Sequence, residues 1–435
     1  MNRSRLRGTL PLLALLAAVG CEGAAPEEGA SMQAFVGALL IDGTGETPIE
    51  RSVVIVQDGV IQAVGREGEV DVPVGAERID LSGRTLIPGL INAHGHVGAV
   101  RGLQGGQYSR ANVLDQLGLY ARYGVTTVVS LGDDQEEGVR IRDEQSAAEL
   151  ERARLYVAGP VLNPSTPEEA VEQVRRIAGM EVDWAKIRID SNLGASEKMS
   201  PETYGAVVEE AHRHGIPVAV HIIELADAKG ALTAGADLLA HSVRDVPVDD
   251  ELIAMMRQQR VCLVPTLTRE LSTFVYGSRP DFFDDPFFLR EADPAVLDQL
   301  ADPERQQRTR ENPGAQYWED QLPLAMENMK ALSDAGVRVA MGTDSGPAGR
   351  FQGYFEHLEM EMMADAGLTP MQILVAATGD AARCVGLDQE LGTIEPGKRA
   401  DFVVLESNPL DDILNTRSIE SVWINGNRVP ADPAA

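Results

Sequence analysis

Between residues 85 and 341 the chain alternates short apolar runs with amphipathic stretches, and this alternation restricts the fold more than any other feature. The runs occupy residues 85–91, 125–131, 155–158, 184–189, 217–222, 237–241, 261–267 and 337–341. Each has the length of a strand. Their near-continuous apolar composition marks strands buried on both faces, as in a parallel sheet covered by helices. Helix signals lie between most of them. Thr166-Pro167-Glu168-Glu169 sets a capping hydroxyl before a first-turn proline, and Ser200-Pro201-Glu202 opens a helix that runs to His214-Gly215 in the same way. Eight β/α units in one span are the count of a (β/α)8 TIM barrel, so the fold class expected is α/β.

The chain ends read differently. Residues 35–41, 52–57 and 60–64 are short β-branched-rich runs punctuated by Asp42-Gly43-Thr44-Gly45 and Asp58-Gly59, the second a hairpin signal. Residues 400–405 and 420–426 match them at the other end. The two ends are expected to pair into one small β-sandwich domain, contributed by residues 34–84 and 391–430, beside a barrel of residues 85–390. The seventh unit is interrupted by residues 268–316, which hold Phe274, Tyr276, Phe282, Phe283, Phe287 and Phe288 among many aspartates. A connection of that length is expected to act as a lid over the barrel mouth or as an oligomer contact.

The formal charge of −29 excludes nucleic acid as a partner, because phosphate binding needs a basic patch and none is visible. Residues 1–20 are expected to be a signal peptide and not part of the fold. Arg3, Arg5 and Arg7 precede an apolar run over residues 10–19, as in a secretory signal. Ala18-Val19-Gly20-Cys21 is similar to the lipobox of bacterial lipoproteins, which implies cleavage before Cys21, a lipid on Cys21, and export to the periplasm or cell envelope. Residues 21–33 read as a flexible tether. Cys262 and Cys384 sit in apolar stretches and are expected to be two buried thiols.

Chemistry-bearing residues gather at the ends of the runs, where barrel enzymes build their sites. His94 and His96 follow the first run, two apart and so able to face one point from a strand. Lys186 lies in the fourth run, His221 ends the fifth, His241 the sixth, and Asp344 follows the eighth. Four of the seven histidines therefore stand at three strand ends. Imidazoles and a carboxylate in such a group suit a divalent metal. Lys186 is the odd member, since an ammonium cannot ligate a cation; the chain has five lysines in all, and this one sits among apolar residues.

This set, with His-x-His on the first strand, Lys on the fourth, His on the fifth and sixth and Asp on the eighth, resembles the amidohydrolase superfamily. Within it the chain is most similar to the binuclear imidazolonepropionase-like and prolidase-like (Xaa-Pro dipeptidase-like) members. The stretch Leu391-Gly392-Thr393-Ile394-Glu395-Pro396-Gly397-Lys398-Arg399-Ala400-Asp401-Phe402 looks like that family's return into its β-sandwich. The resemblance implies two divalent metal ions, zinc foremost, with His94, His96 and Asp344 on one and His221 and His241 on the other. It implies that Lys186, as the carbamate formed with CO2 (N6-carboxylysine), bridges the two. Asp344 is then also the catalytic acid/base, moving a proton from a metal-bridging hydroxide to the leaving amine. The activity implied is hydrolysis of an amide bond, in dipeptides such as Xaa-Pro. Cyclic amides or lactones are alternative substrates, and a non-catalytic metal- or ligand-binding lipoprotein is the alternative from another class. Arg101, Tyr108 and His357 are weaker candidates for substrate contacts. His212 and His214, at a helix C-terminus, are read as structural. Asn92 stands where many relatives have Asp and is not expected to be a ligand. Membrane attachment through Cys21 and a homo-oligomer complete the expected partners.

Overall fold

The computed structural model describes residues 32–431 apart from Asn192, so the expected signal sequence and Cys21, the expected lipidation site, lie outside the described residues. Seven of the eight apolar runs contribute parallel strands. Leu90–Gly95, Val125–Ser130 and Arg154–Val157 form one sheet, and Ala185–Arg188, Val218–His221, Leu238–Ala240 and Cys262–Val264 form another, each in sequence order about its neighbours. Leu162 joins the two by a parallel bridge to Ile187, and its N–H donates to the Lys186 carbonyl at 2.8 Å.

The eighth run departs from expectation. It makes a parallel bridge from Val339 to Leu263 on one side and another from Ser345 to Gly95 on the other, without a regular strand. Past this run the backbone leaves the extended region at Asp344, whose φ is +54°. The first run is also divided. Thr85–Pro88 pairs with Phe402–Leu405, whereas Leu90–Gly95 pairs with Val125–Ser130. Gly89 makes the division, and a Cβ there would lie 2.1 Å from the Thr126 hydroxyl.

Helices cover the outer face of these strands. Thr166 caps Pro167–Ala178 and Ser200 caps Pro201–Arg213, each by a side-chain oxygen accepting from the backbone three residues on. Val128, Leu155, Ile187, Val218, Val220 and Leu263 pack outward against the helices, while Ala93, Val129, Trp184, Ala219, Ala240 and Val264 pack together on the inner face. Lys186 and His221 are in phase with Trp184 and Ala219, so the strand period of two turns them inward. Among the described residues no helix is long and apolar enough to cross a membrane.

The chain ends meet. Phe402–Leu405 lies antiparallel between Thr85–Pro88 and Ile419–Ile424 in a five-stranded sheet, and a second sheet holds Met32–Val36, Ser52–Gln57, Val60–Arg66 and Glu77–Asp80. The Asp58-Gly59 hairpin has positive φ at both residues, as a tight two-residue turn requires. Phe35, Val54, Leu86, Phe402 and Val404 form one apolar layer shared by the two sheets.

One expectation is corrected. Cys262 and Cys384 are joined in a disulfide across 122 positions, not held as separate thiols. The fold brings the end of the helix Gly379–Cys384 against the start of the strand Cys262–Val264, which spacing in sequence does not reveal. The insertion, moreover, is helical and docked. Phe283, Phe288 and Val296 pack with Tyr123, Tyr354 and Phe355 in an apolar cluster of their own, which holds this segment to the flank of the first and eighth units.

Candidate metal centre

His94 is carried inside the strand Leu90–Gly95, and His96 follows directly. Asp344 is supplied by the turn after the eighth run and His241 by the residue after the strand Leu238–Ala240; both have positive φ, at +54° and +74°. Thr266, after the seventh strand, is at +53°. A β-branched residue there is a conformational outlier, of the kind that persists where surrounding contacts dictate it.

These residues converge. Ligand atoms of His94, His241 and Asp344 lie within 4.8 Å of one another, and all three residues are buried. His96 Nε2 is 2.9 Å from Asp344 Oδ1, and His94 Nε2 is 3.9 Å from the same oxygen. Lys186 Nζ lies 3.3 Å from His94 Nε2. The His221 and His241 rings have centroids 4.0 Å apart. All six candidate residues are thus brought together, although His221 turns its Nε2 toward Arg188 at 3.0 Å and Asp190 at 3.3 Å.

The donor set fits a divalent cation. His96 Nδ1 lies 3.0 Å from the Gly132 carbonyl, which can only accept, so that nitrogen carries the proton. In the neutral ring Nε2 then presents a lone pair to a carboxylate oxygen, a repulsion that a cation between them removes. His94 Nδ1 is buried with no hydrogen-bond partner, and the Thr266 hydroxyl holds His241 Nδ1 at 2.5 Å. Burial, then neighbouring cations, hold His94, His221 and His241 well below the usual histidine value, leaving the neutral imidazoles that metal binding requires. Burial alone would lower His96 too, but its contact with Asp344 raises it. Burial opposes ionisation of Asp344, yet Arg350, whose Nη1 is 2.6 Å from Oδ2, and the two histidines hold it well below the carboxylate range. Burial lowers Lys186 to about 7, so a neutral amine is available at physiological pH.

The weaker candidates make the following contacts. His357 is buried, with Nδ1 3.0 Å from the Thr416 hydroxyl and Nε2 2.8 Å from the Tyr123 carbonyl, so both nitrogens serve packing. Arg101 is exposed and pairs with Asp115 at 3.2 Å. Tyr108 lines a cavity with Asp133, Asp134, Arg175 and Arg176. His212 pairs with Asp237 at 2.8 Å, and His214 lies 3.5 Å from Glu210.

Sequence reasoning missed a buried supporting shell. Glu356 accepts from Asn92 at 2.6 Å, Thr343 at 2.7 Å and Ser345 at 2.6 Å, and Asn92 Oδ1 in turn accepts the His94 N–H at 2.9 Å. Glu359 accepts the N–H groups of Leu267 and Thr268, at 2.7 and 2.8 Å, and the Thr268 hydroxyl. Arg188, Arg244, Arg269, Glu270 and Arg350 were also overlooked. A usable signal was present for several of them, since they are charged residues within or just past apolar runs.

The comparisons with known proteins find similar hydrolases. Ochratoxinase from Aspergillus niger is 25% identical over 89% of this chain and 84% of its own length. Imidazolonepropionase from Paracoccus denitrificans is 26% identical over 82% of this chain and 88% of its own. A Xaa-Pro dipeptidase solved with methionine in its active site has the same fold, with a TM-score of 0.74, 22% identity, and coverage of 92% of this chain and 99% of that one. The chain is a hydrolase acting on C–N bonds, and the fold of these relatives implies a TIM barrel for its parallel strands. Residues 85–429 match the family model directly, and the chain belongs to the Amidohydrolase family.

Proposed function

We propose that the protein is an exported, lipid-anchored, binuclear metal-dependent hydrolase that cleaves an amide bond, with dipeptides such as Xaa-Pro as substrates. One observation carries this reading: His94, His96, Lys186, His221, His241 and Asp344, spread over five β/α units, meet in one buried cluster. His94, His96 and Asp344 would hold one metal, zinc foremost, and His221 and His241 the other, with Lys186 as the carbamate between them. Reorientation of His221 away from Arg188 and Asp190 accompanies that assignment. When bound, the ions supply Lewis acidity toward the scissile carbonyl and lower the pKa of a water. The remaining work belongs to the chain. Asp344, held ionised by Arg350, accepts a proton and delivers it to the leaving nitrogen. Gly132 and Thr266 fix which nitrogen of His96 and His241 faces the centre. The choice of dipeptides rests on the prolidase-like motif set. The neighbouring strand runs are read as a closed eight-stranded barrel and the two terminal sheets as a β-sandwich. The Cys262–Cys384 disulfide supports export, because such bonds persist where thiols are not kept reduced.

Metal per chain, measured on purified protein beside Lys186→Ala, tests the reading. About two ions in the wild type and a clear loss in the variant are expected. One ion insensitive to Lys186 removes the carbamate-bridged pair. Asp344→Asn is expected to lower kcat by at least about 100-fold on a dipeptide substrate; wild-type turnover would refute its acid/base role.

A further inference from the structure

The chain carries a net charge of −29, yet the residues that surround the clustered histidines are arginines. Arg188 is balanced by Asp190, at 3.3 Å, and Arg350 by Asp344, at 2.6 Å. Arg244 and Arg269 have no such one-to-one balance. Both face the same oxygen, Oε1 of Glu270, at 2.9 and 3.2 Å, so two guanidinium groups share one carboxylate. The side chains of Arg244, Arg269 and Glu270 are 0%, 8% and 1% exposed. Burial draws Arg244 down to about 10, which still leaves it charged at neutral pH. The group therefore holds one positive charge in excess where water is excluded, an arrangement that is costly until an anion joins it.

The geometry fixes both guanidinium groups. Trp318, on the helix Pro313–Asp334, braces both guanidinium groups, with their central carbons 4.9 and 4.4 Å from its ring. Arg244 Nη1 donates to the carbonyls of Ile222 and Ser242, at 2.9 and 2.5 Å, which sets it beside the residues that follow His221 and His241. Its Nη2 is buried with no hydrogen-bond partner. An orphaned buried donor in a native fold calls for a ligand. The charges of Arg188, Arg244 and Arg269 all bear on His221. Arg188 has its side chain 34% exposed.

We propose that Arg244 and Arg269, braced by Trp318 and Glu270, bind a carboxylate of the substrate beside the metal centre. The substrate class is then an amide that also bears a free carboxylate, as a dipeptide does at its C-terminus, and not a neutral amide. This inference rests on the amide-hydrolase reading above. Planar guanidinium groups suit a planar carboxylate, and lysine does not replace them at such a site.

The test is a dipeptide library in which each member is paired with its C-terminal amide, assayed with metal-replete enzyme. Wild-type kcat/KM is expected to favour the acids by about 100-fold or more. Arg269→Met is expected to narrow that gap, chiefly through KM for the acids, and Arg269→Lys to restore only part of it. Equal kcat/KM for acids and amides in the wild type overturns the proposal. If neither series is cleaved, the amide-hydrolase reading fails, and calorimetric titration with free amino acids and with their amides decides the carboxylate site independently. Binding of the acids at least tenfold tighter, lost in Arg269→Met, supports the site; equal or absent binding overturns it.

Discussion

At the scale of the residue, the same side chain does opposite work according to what surrounds it. His94 and His357 are both buried, both neutral and both within β/α units. His94 leaves Nδ1 without a partner and meets three other candidate ligands, whereas His357 spends both nitrogens on Tyr123 and Thr416. Burial lowers His357 to about 3, against 6.5 for a free histidine. The folded-state value is the lower one, so between them the unfolded chain binds a proton that the native one does not. The stabilising effect is full above pH 6.5 and is lost as pH falls toward 3. From pH 7 to pH 5 this single group should cost about 2 kcal/mol of stability. Urea unfolding at the two pH values measures it: His357→Gln should lose less stability than the wild type over that interval. Equal losses would mean that His357 is not held neutral.

At the scale of the element, the helix Leu267–Phe274 is the piece on which the site depends. It begins directly after Thr266, so its first turn fixes the residue that holds His241, and it carries Arg269 and Glu270. No side chain of its own caps it; Glu359, from the helix Tyr354–Asp365, reaches across to accept its first two N–H groups. Burial pushes Glu359 up to about 8, so its neutral form dominates at pH 7 and glutamine is a fair mimic. Glu359→Ala should weaken metal binding by about 10- to 100-fold, read by competition with a chelator, while Glu359→Gln should stay near wild type. Unchanged affinity in Glu359→Ala would show that Thr266 keeps its conformation without this contact.

At the scale of the whole molecule, the disulfide ties the seventh strand to the helix Gly379–Cys384, which follows the eighth run. Closing a loop of 122 residues restricts the unfolded chain by about 5 kcal/mol in the chain-entropy account. Cys384→Ser should lower the urea midpoint accordingly without changing the metal content. A variant as stable as the wild type would show that native packing already provides the restraint. The insertion acts at this scale too. Its phenylalanines, legible in the sequence as an aromatic cluster, find partners in Tyr123, Tyr354 and Phe355 from the first and eighth units.

Local order was legible because it is written in short periods. Alternation in the runs turned Lys186 and His221 inward with Trp184 and Ala219, and Thr166 and Ser200 announced their helices by chemistry confined to one turn. The six clustered residues could be named for the same reason: each stands at a strand end, and a β/α repeat delivers strand ends to one face. The sequence by itself therefore determined the α/β class and the membership of the cluster. Only the tertiary structure decided the contacts between elements distant in the chain. These include the union of Cys262 with Cys384, the split of the first run at Gly89, the clamp of Glu359 on Leu267 and Thr268, and the sharing of Glu270 by Arg244 and Arg269 under Trp318. No local periodicity encodes such pairs, because their energies arise only after packing has excluded water from both partners.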